Sequence, residues 1–341
     1  MQRRSFLAGL AGLGALSVVG CSTTKATTQV VGTLPADPPP AGTKLTISIR
    51  STLKQLEANG ELSKLPFQVP DWPNISAGPD VIQAFRANSV DLASNAGIPP
   101  IQAKANRFDA KIVAVAQREQ PLYKFAGSPG LALKELKDLK GKKIAFSQGQ
   151  AQGVVLLRTI KELGLKNTDV ELVSLTSNQF LTALQAKQVD VAVLAEPQLT
   201  KYLGQYPDAH AIDMNAVDLL TILWAPVSVL NDEAKLKAIR AFIPFWARGH
   251  AWSQDNPDKW VDHYYVKDQN VSKADGDRIV KATPKLVFPS SWDRAIRWEQ
   301  ETADLLADGG FTPKINADEL FDRRFEHIAF EAVDAKYRSQ S

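Results

Sequence analysis

The feature that most constrains this chain is a ten-residue stretch that occurs twice. Ala84-Phe85-Arg86-Ala87-Asn88-Ser89-Val90-Asp91-Leu92-Ala93 matches Ala183-Leu184-Gln185-Ala186-Lys187-Gln188-Val189-Asp190-Val191-Ala192, with five of the ten positions identical. In each copy a helix-period run ends, a tight turn follows and an alternating apolar run begins. Asn88 suits a left-handed turn and Lys187 suits it less. Each run then enters a proline-containing turn, Asn95-Ala96-Gly97-Ile98-Pro99 in one copy and Ala195-Glu196-Pro197 in the other. The repeat predicts an α/β protein with two related lobes. Ligands of open α/β sheets bind beyond the carboxyl ends of the strands. Two lobes facing each other with those ends enclose a cleft. The turns after strands ending at Arg50, Ser94, Phe146 and Ala195 are expected to line it.

One of these turns carries more information than the others. Lys142-Lys143-Ile144-Ala145-Phe146 reads as a strand. Ser147-Gln148-Gly149-Gln150-Ala151-Gln152-Gly153 is a small, polar turn, and a helix with Leu156, Leu157, Ile160 and Leu163 on one face follows. The turn thus meets a helix N-terminus, where free N–H groups and the dipole favour an anionic or polar ligand. It has neither the G-x-G-x-x-G spacing nor the Gly-Lys-Ser/Thr ending of nucleotide loops.

Other chemistry is constrained by what the chain contains. At 341 residues it is long enough for two cored lobes, and its net charge of +3 comes without a basic block of the kind that binds nucleic acid. The single cysteine, Cys21, allows no intramolecular disulfide and no cysteine cluster. The four histidines have no metal-ligand spacing, so neither a metal nor a cofactor is expected.

The first 21 residues read as a targeting segment. Arg3-Arg4 precede an apolar run from Phe6 to Gly20 that is too short for a permanent membrane span. Gln2-Arg3-Arg4-Ser5-Phe6-Leu7 resembles a twin-arginine export signal, and a plain positive region for the general export route reads nearly as well. Val18-Val19-Gly20-Cys21 resembles a lipobox, which makes Cys21 the expected lipidation site. Residues 22–43, rich in Thr, Pro and Ala, read as a tether with a span of roughly 25 Å. The expected domains are a lipoprotein signal peptide (1–21), a tether (22–43), lobe 1 (44–126 plus 223–341) and lobe 2 (127–222). Lys124 to Ser128 and Leu219 to Leu230 are read as the outward and return crossings between the lobes.

The ordered motifs resemble the substrate-binding proteins of ABC importers, specifically the nitrate/sulfonate/taurine type with the type II periplasmic-binding fold. The resemblance rests on Gly78-Pro79 opening a helix that runs to Asp91, on Pro99-Pro100-Ile101 and on Asp138-Leu139-Lys140-Gly141-Lys142-Lys143-Ile144. Glu196-Pro197 and Ala307-Asp308-Gly309-Gly310-Phe311-Thr312-Pro313 complete it. It covers residues 44 to 325. It implies an exported, lipid-anchored, monomeric protein that delivers a small-molecule ligand to a permease and its ATPase, and no catalysis. Two departures, Gly97-Ile98 in the turn before the prolines and Ala195 before the acid, enlarge or grease the pocket. They imply a bulkier sulfonate or a ligand with a larger apolar part.

Under this reading the ligand is held by Ser51, Thr52, Gly78, Asn95, Ala96 and Gly97 of lobe 1 and by Gln148, Gln150, Ala151, Gln152 and Ser177 of lobe 2. Glu196 reads equally as a cleft residue and as an acid at a helix N-terminus. Trp224 reads equally as a ligand cap and as hinge packing. Replacing Gln150 and Gln152 together by alanine is expected to weaken ligand binding and leave the melting point of the empty protein unchanged. Two alternatives share the scaffold. A binder of a thiamine-pyrimidine-like heterocycle would use Glu196 and Trp224. A desulfinase-like enzyme needs a cysteine nucleophile, and Cys21 lies ahead of the fold; a hydrolase has no G-x-S-x-G elbow to use.

Overall fold

The structure is a computed structural model that describes residues 32–340. The leader, Cys21 and the first part of the tether lie outside the described residues. The tether's last part is not free chain: Leu34 packs on the core, Pro39 is buried, and Arg240 donates to the Ala36 carbonyl at 3.1 Å.

Two sheets organise the chain. The first contains β1 (Ile47–Ser48), β2 (Leu92–Asn95), β3 (Ala110–Gln117) and β9 (Leu220–Pro226), in the order β1-β2-β9-β3. The second contains β4 (Lys124–Gly127), β5 (Lys143–Phe146), β6 (Glu171–Ser174), β7 (Val191–Leu194) and β8 (Ala211–Asp213), in the order β6-β5-β7-β4-β8. In each sheet the strand that follows a connection between the lobes runs antiparallel to its neighbours. β4 pairs with β7 and β8, and β9 pairs with β2 and β3. The segments expected to be crossings are therefore strands inside the sheets. The physical reason is burial: β9 is enclosed at almost every position, as a central strand is and a linker is not. The connections are residues 118–123 and 214–219, so both lobe boundaries fall earlier than the expected 126/127 and 222/223. The two connections lie side by side, with Arg118 N–H donating to the Leu219 carbonyl at 2.9 Å and the buried Arg118–Asp218 ion pair at 3.2 Å.

The repeated stretch occupies equivalent places in the two sheets. Its first copy joins α2 (Gly78–Arg86) to β2, and its second joins α5 (Ser177–Gln185) to β7. Asn88 and Lys187 both take left-handed backbone, at φ 52° and 53°. The shared aspartate has the same task in each copy. Asp91 Oδ2 accepts from Thr46 N–H at 2.9 Å, and Asp190 Oδ2 accepts from Lys143 N–H at 2.8 Å. Asp91 so pins the start of β1 to the turn before β2, and Asp190 pins the start of β5 to the turn before β7.

Helices α1 (Arg50–Asn59), α3 (Ile98–Ala105), α4 (Ala151–Glu162) and α6 (Gln198–Gln205) follow β1, β2, β5 and β7. α1 begins three residues earlier than the spacing of Leu53, Leu56 and Leu62 predicts. Ser51 and Thr52 therefore lie in its first turn instead of a free loop. A long helix, Glu233–Asp255, packs against α1, and the helix Asp293–Asp308 touches both α3 of the first lobe and α4 of the second.

Candidate functional site

The carboxyl ends of β1, β2 and β5 release α1, α3 and α4, and no side chain caps the N-terminus of any of the three. The N-terminus of α2 is likewise uncapped. Uncapped N-termini present free N–H groups and positive potential to whatever lies before them. The starts of α2 and α3 and the loop before α4 are brought together by close approach at glycine. A Cβ on Gly78 would lie 3.0 Å from the Gly149 carbonyl oxygen of the other lobe and would strike Pro99. A Cβ on Gly153 would fall on the Ser147 carbonyl, so the first turn of α4 can fold back onto its own loop only with glycine there.

The lobe 1 wall is fixed by β-strand side chains. Ser48 Oγ donates to the carbonyls of Pro73 and Ile75, at 2.9 and 2.7 Å. Asn95 donates to the Ser76 carbonyl at 2.9 Å. Together they hold residues 73–77 against the ends of β1 and β2. A cavity of about 480 Å³ opens beside this segment. Ser76, Ala77 and Asp80 line it from the first lobe, and Gln152, Ser177 and Gln198 from the second. A second inter-lobe cavity of about 470 Å³ lies between Pro79 and Gln102 on one side and Gln148, Gly149 and Gln179 on the other.

The expected site residues separate into three groups. Gln152 and Ser177 line the cavity, and Thr52, Gly78 and Ala151 stand in the first turns of the uncapped helices α1, α2 and α4. The Thr52 hydroxyl is buried with no partner among the described residues. Ser51 and Ala96 are half-buried next to them.

The second group consists of residues whose polar atoms are engaged by the protein. Gln150 is buried; its Oε1 accepts from Ser147 Oγ at 2.6 Å and Ser177 N–H at 2.7 Å, and its amide donates to Ser177 Oγ at 2.6 Å. It braces the turn against α5 instead of pointing at a ligand. Asn95 Oδ1 accepts from Trp224 Nε1 at 2.8 Å. The Gln148 side chain donates to the Phe311 carbonyl, and the Gln148 carbonyl accepts from Gln102 at 3.0 Å, so Gln148 links the lobes.

The third group holds the two residues with paired readings. Trp224 is fully buried, edge-on to Phe85 with ring centroids 4.7 Å apart, the surroundings of a core side chain. Glu196 accepts from Thr200 N–H at 3.1 Å and pairs with Arg278 at 3.1 Å, so it serves a helix start and a contact between lobes.

The bracing role of Gln150 changes one expectation. Gln150→Ala would leave the buried Ser147 hydroxyl, the Ser177 hydroxyl and an N–H without partners. Denaturant unfolding of the empty protein is expected to show a loss of about 1–3 kcal/mol, where an untouched ligand residue would show none.

The spacing of motifs did not reveal Arg158 or Glu299. Arg158, on α4, donates to Thr302 Oγ1 at 2.7 Å and lies over the Trp298 ring at 4.7 Å. Burial lowers its pKa from the ordinary arginine value. Glu299, on the same helix as Trp298 and Thr302, is wholly enclosed. Its place on the stripe Ala295, Glu299, Thr302, Ala303 and Leu306 was the available signal.

Two α/β lobes joined by two connections, each sheet holding one antiparallel strand that follows a connection, with a cleft between them, define the periplasmic-binding-protein fold. The chain belongs to the NMT1/THI5-like family, whose model matches residues 74–260, more than half of its length. An Escherichia coli (strain K12) protein named as an aliphatic sulfonates-binding protein is 33% identical over 134 residues, which is 39% of this chain and 42% of that protein. The match therefore spans under half of that relative. A Bacillus subtilis (strain 168) protein of the same name is 23% identical over 262 residues, covering 76% of this chain and 78% of that one. Among solved structures, the alkanesulfonate-binding protein SsuA from Xanthomonas axonopodis pv. citri, bound to MOPS, superposes with a TM-score of 0.73 at 20% identity. That match covers 84% of this chain and 99% of that one. The nitrate-binding protein NrtA from Synechocystis PCC 6803 superposes with a TM-score of 0.65 at 12% identity, covering 89% and 93%. These relatives are named as binding proteins, not enzymes.

Proposed function

We propose that this chain is the substrate-binding lipoprotein of an ABC importer. It captures a small organic anion of the sulfonate, taurine or nitrate class between its lobes. The closed form then docks on a permease and its ATPase. Export and a lipid at Cys21 hold it, as a monomer, at the outer face of the cytoplasmic membrane.

The observation that carries this reading is the convergence of uncapped helix N-termini from both lobes on one cleft. Such an arrangement favours an anion without a dedicated side-chain cation. The names of the relatives favour a sulfonate among anions. Gly97, Ile98 and Ala195 add little polar bulk, which suits a sulfonate with an apolar tail. The heterocycle reading is weaker, because Trp224 is enclosed in the core and Glu196 is engaged by Thr200 and Arg278.

A thermal-shift panel of alkanesulfonates, taurine, nitrate and sulfate esters on the purified protein tests the proposal. At a hundredfold excess over Kd a ligand stabilises by about 2.7 kcal/mol, which for a fold of this size raises Tm by roughly 4 °C. A shift with a sulfonate is the expected result. No shift with any anion, or chemical turnover of one, contradicts it.

A further inference from the structure

Glu299 reaches the N-terminus of α3 from a different part of the chain. A Cβ on Gly97, the residue before Ile98, would fall on the Glu299 carboxylate. The absence of a side chain at Gly97 is what admits the acid to the turn between β2 and α3. Both carboxylate oxygens are buried, and neither has a partner among the described residues. Asp218 Oδ1 and Arg158 Nε share that condition. Buried hydrogen-bonding groups are almost always satisfied, and leaving one unmade costs free energy. Three neighbouring side chains with atoms aimed at no protein partner are equipped to recognise a polar solute.

The charges around Glu299 decide the sign of that solute. Asp218 faces it from the return connection and Arg158 from α4. Arg118, from the outward connection, is paired with Asp218 at 3.2 Å, and Glu301 lies 3.8 Å from Arg158 on the solvent side. α3 contributes the Ile98 backbone N–H, since Pro99 and Pro100 carry none. With Glu299 neutral, the enclosed groups are two arginines and one aspartate, a surplus of one positive charge.

We propose that Glu299 is a specificity-determining residue of the cleft: it enters through the gap at Gly97 and, as a carboxylic acid, donates a hydrogen bond to the anionic head of the bound solute. Arg158 and Arg118 supply the surrounding positive charge. The inference rests on the anion-binding reading above and assigns it a donor. Burial, with help from Asp218 and against Arg158, pushes the Glu299 carboxyl up to about 8, so the acid form prevails at neutral pH. Asp218, raised to about 6, is ionised there. Above about pH 8 Glu299 gains a negative charge and repels the anion.

Calorimetric titration with butanesulfonate from about pH 6 to about pH 9.5 tests this on the wild type, Glu299→Gln and Glu299→Ala. Wild-type affinity should be level between about pH 7 and about pH 8, where Asp218 is already ionised, and fall about tenfold per pH unit beyond it. Glu299→Gln keeps a donor of the same shape; it should bind within about threefold of wild type at pH 7 and show a flat profile. Glu299→Ala should bind about tenfold more weakly or worse. If alanine does not fold, the glutamine profile decides. A wild-type profile that stays flat, or a Gln variant that falls in parallel with wild type, overturns the role of Glu299 alone. No binding of butanesulfonate by the wild type at any pH overturns the sulfonate reading and this donor together.

Discussion

Trp224→Ala is expected to destabilise the protein by about 3–5 kcal/mol, measured by denaturant unfolding without ligand. The indole sits in the middle of the first sheet with no exposed surface, edge-on to Phe85. Its removal opens a cavity where β9 pairs with both β2 and β3. It also strips Asn95 of the donor that fixes its amide, and Asn95 in turn holds the Ser76 carbonyl. Ligand affinity should fall in consequence, because the lobe 1 wall loses its anchor. Trp224→Phe preserves most of the volume and should cost less, with Asn95 Oδ1 left to find another donor. Loss of binding in Trp224→Ala with unchanged unfolding would instead make the indole a ligand contact.

Glu299 and Asp218 should lower the stability of the empty protein as pH rises from about 5 to about 8, against a smaller opposing gain from buried His250, which burial depresses to about 4. Burial lifts Glu299 from 4.5 to about 8, and burial lifts Asp218 from 3.8 to about 6. In that window the folded protein holds protons that the unfolded chain has released. The stabilisation is full below the ordinary carboxylate range and is lost as pH climbs through the folded values. Glu299 alone contributes on the order of 4 kcal/mol across the window, since each pK unit is worth about 1.4 kcal/mol. Chemical denaturation at pH 5 and pH 8 measures it. Glu299→Gln has no proton to lose and should show a much smaller drop. Equal drops in variant and wild type would mean that Glu299 is ionised in the fold.

The architecture was legible because local signals agreed with it. The two copies of Ala-x-x-Ala-x-x-Val-Asp-x-Ala mark helix, left-handed turn and strand in both lobes, and each aspartate serves its own sheet. The uncapped start of α4 could likewise be read from a polar turn before an amphipathic helix. The connections were misplaced because a run such as Leu220–Pro226 looks the same whether it crosses between lobes or completes a sheet. Its partners on both sides decide, and they are far away in sequence.

The site was legible at the level of turns and not of atoms. Gln150 and Gln152 look alike in sequence, yet Gln150 is enclosed by Ser147 and Ser177 while Gln152 lines the cavity. Glu299 was hidden for the opposite reason. An acid on an amphipathic helix reads as solvated, and only its contact with Gly97 in the other part of lobe 1 brings it inside.

The central claim is that a small anion is gripped by helix starts from both lobes. A crystal structure of the protein grown with butanesulfonate tests it most directly. The account predicts the sulfonate oxygens in the cleft, within hydrogen-bond reach of N–H groups at the start of α4 and of groups from the opposite wall near Thr52 and Gly78. A sulfonate seated on one lobe alone, or outside the cleft, would contradict it.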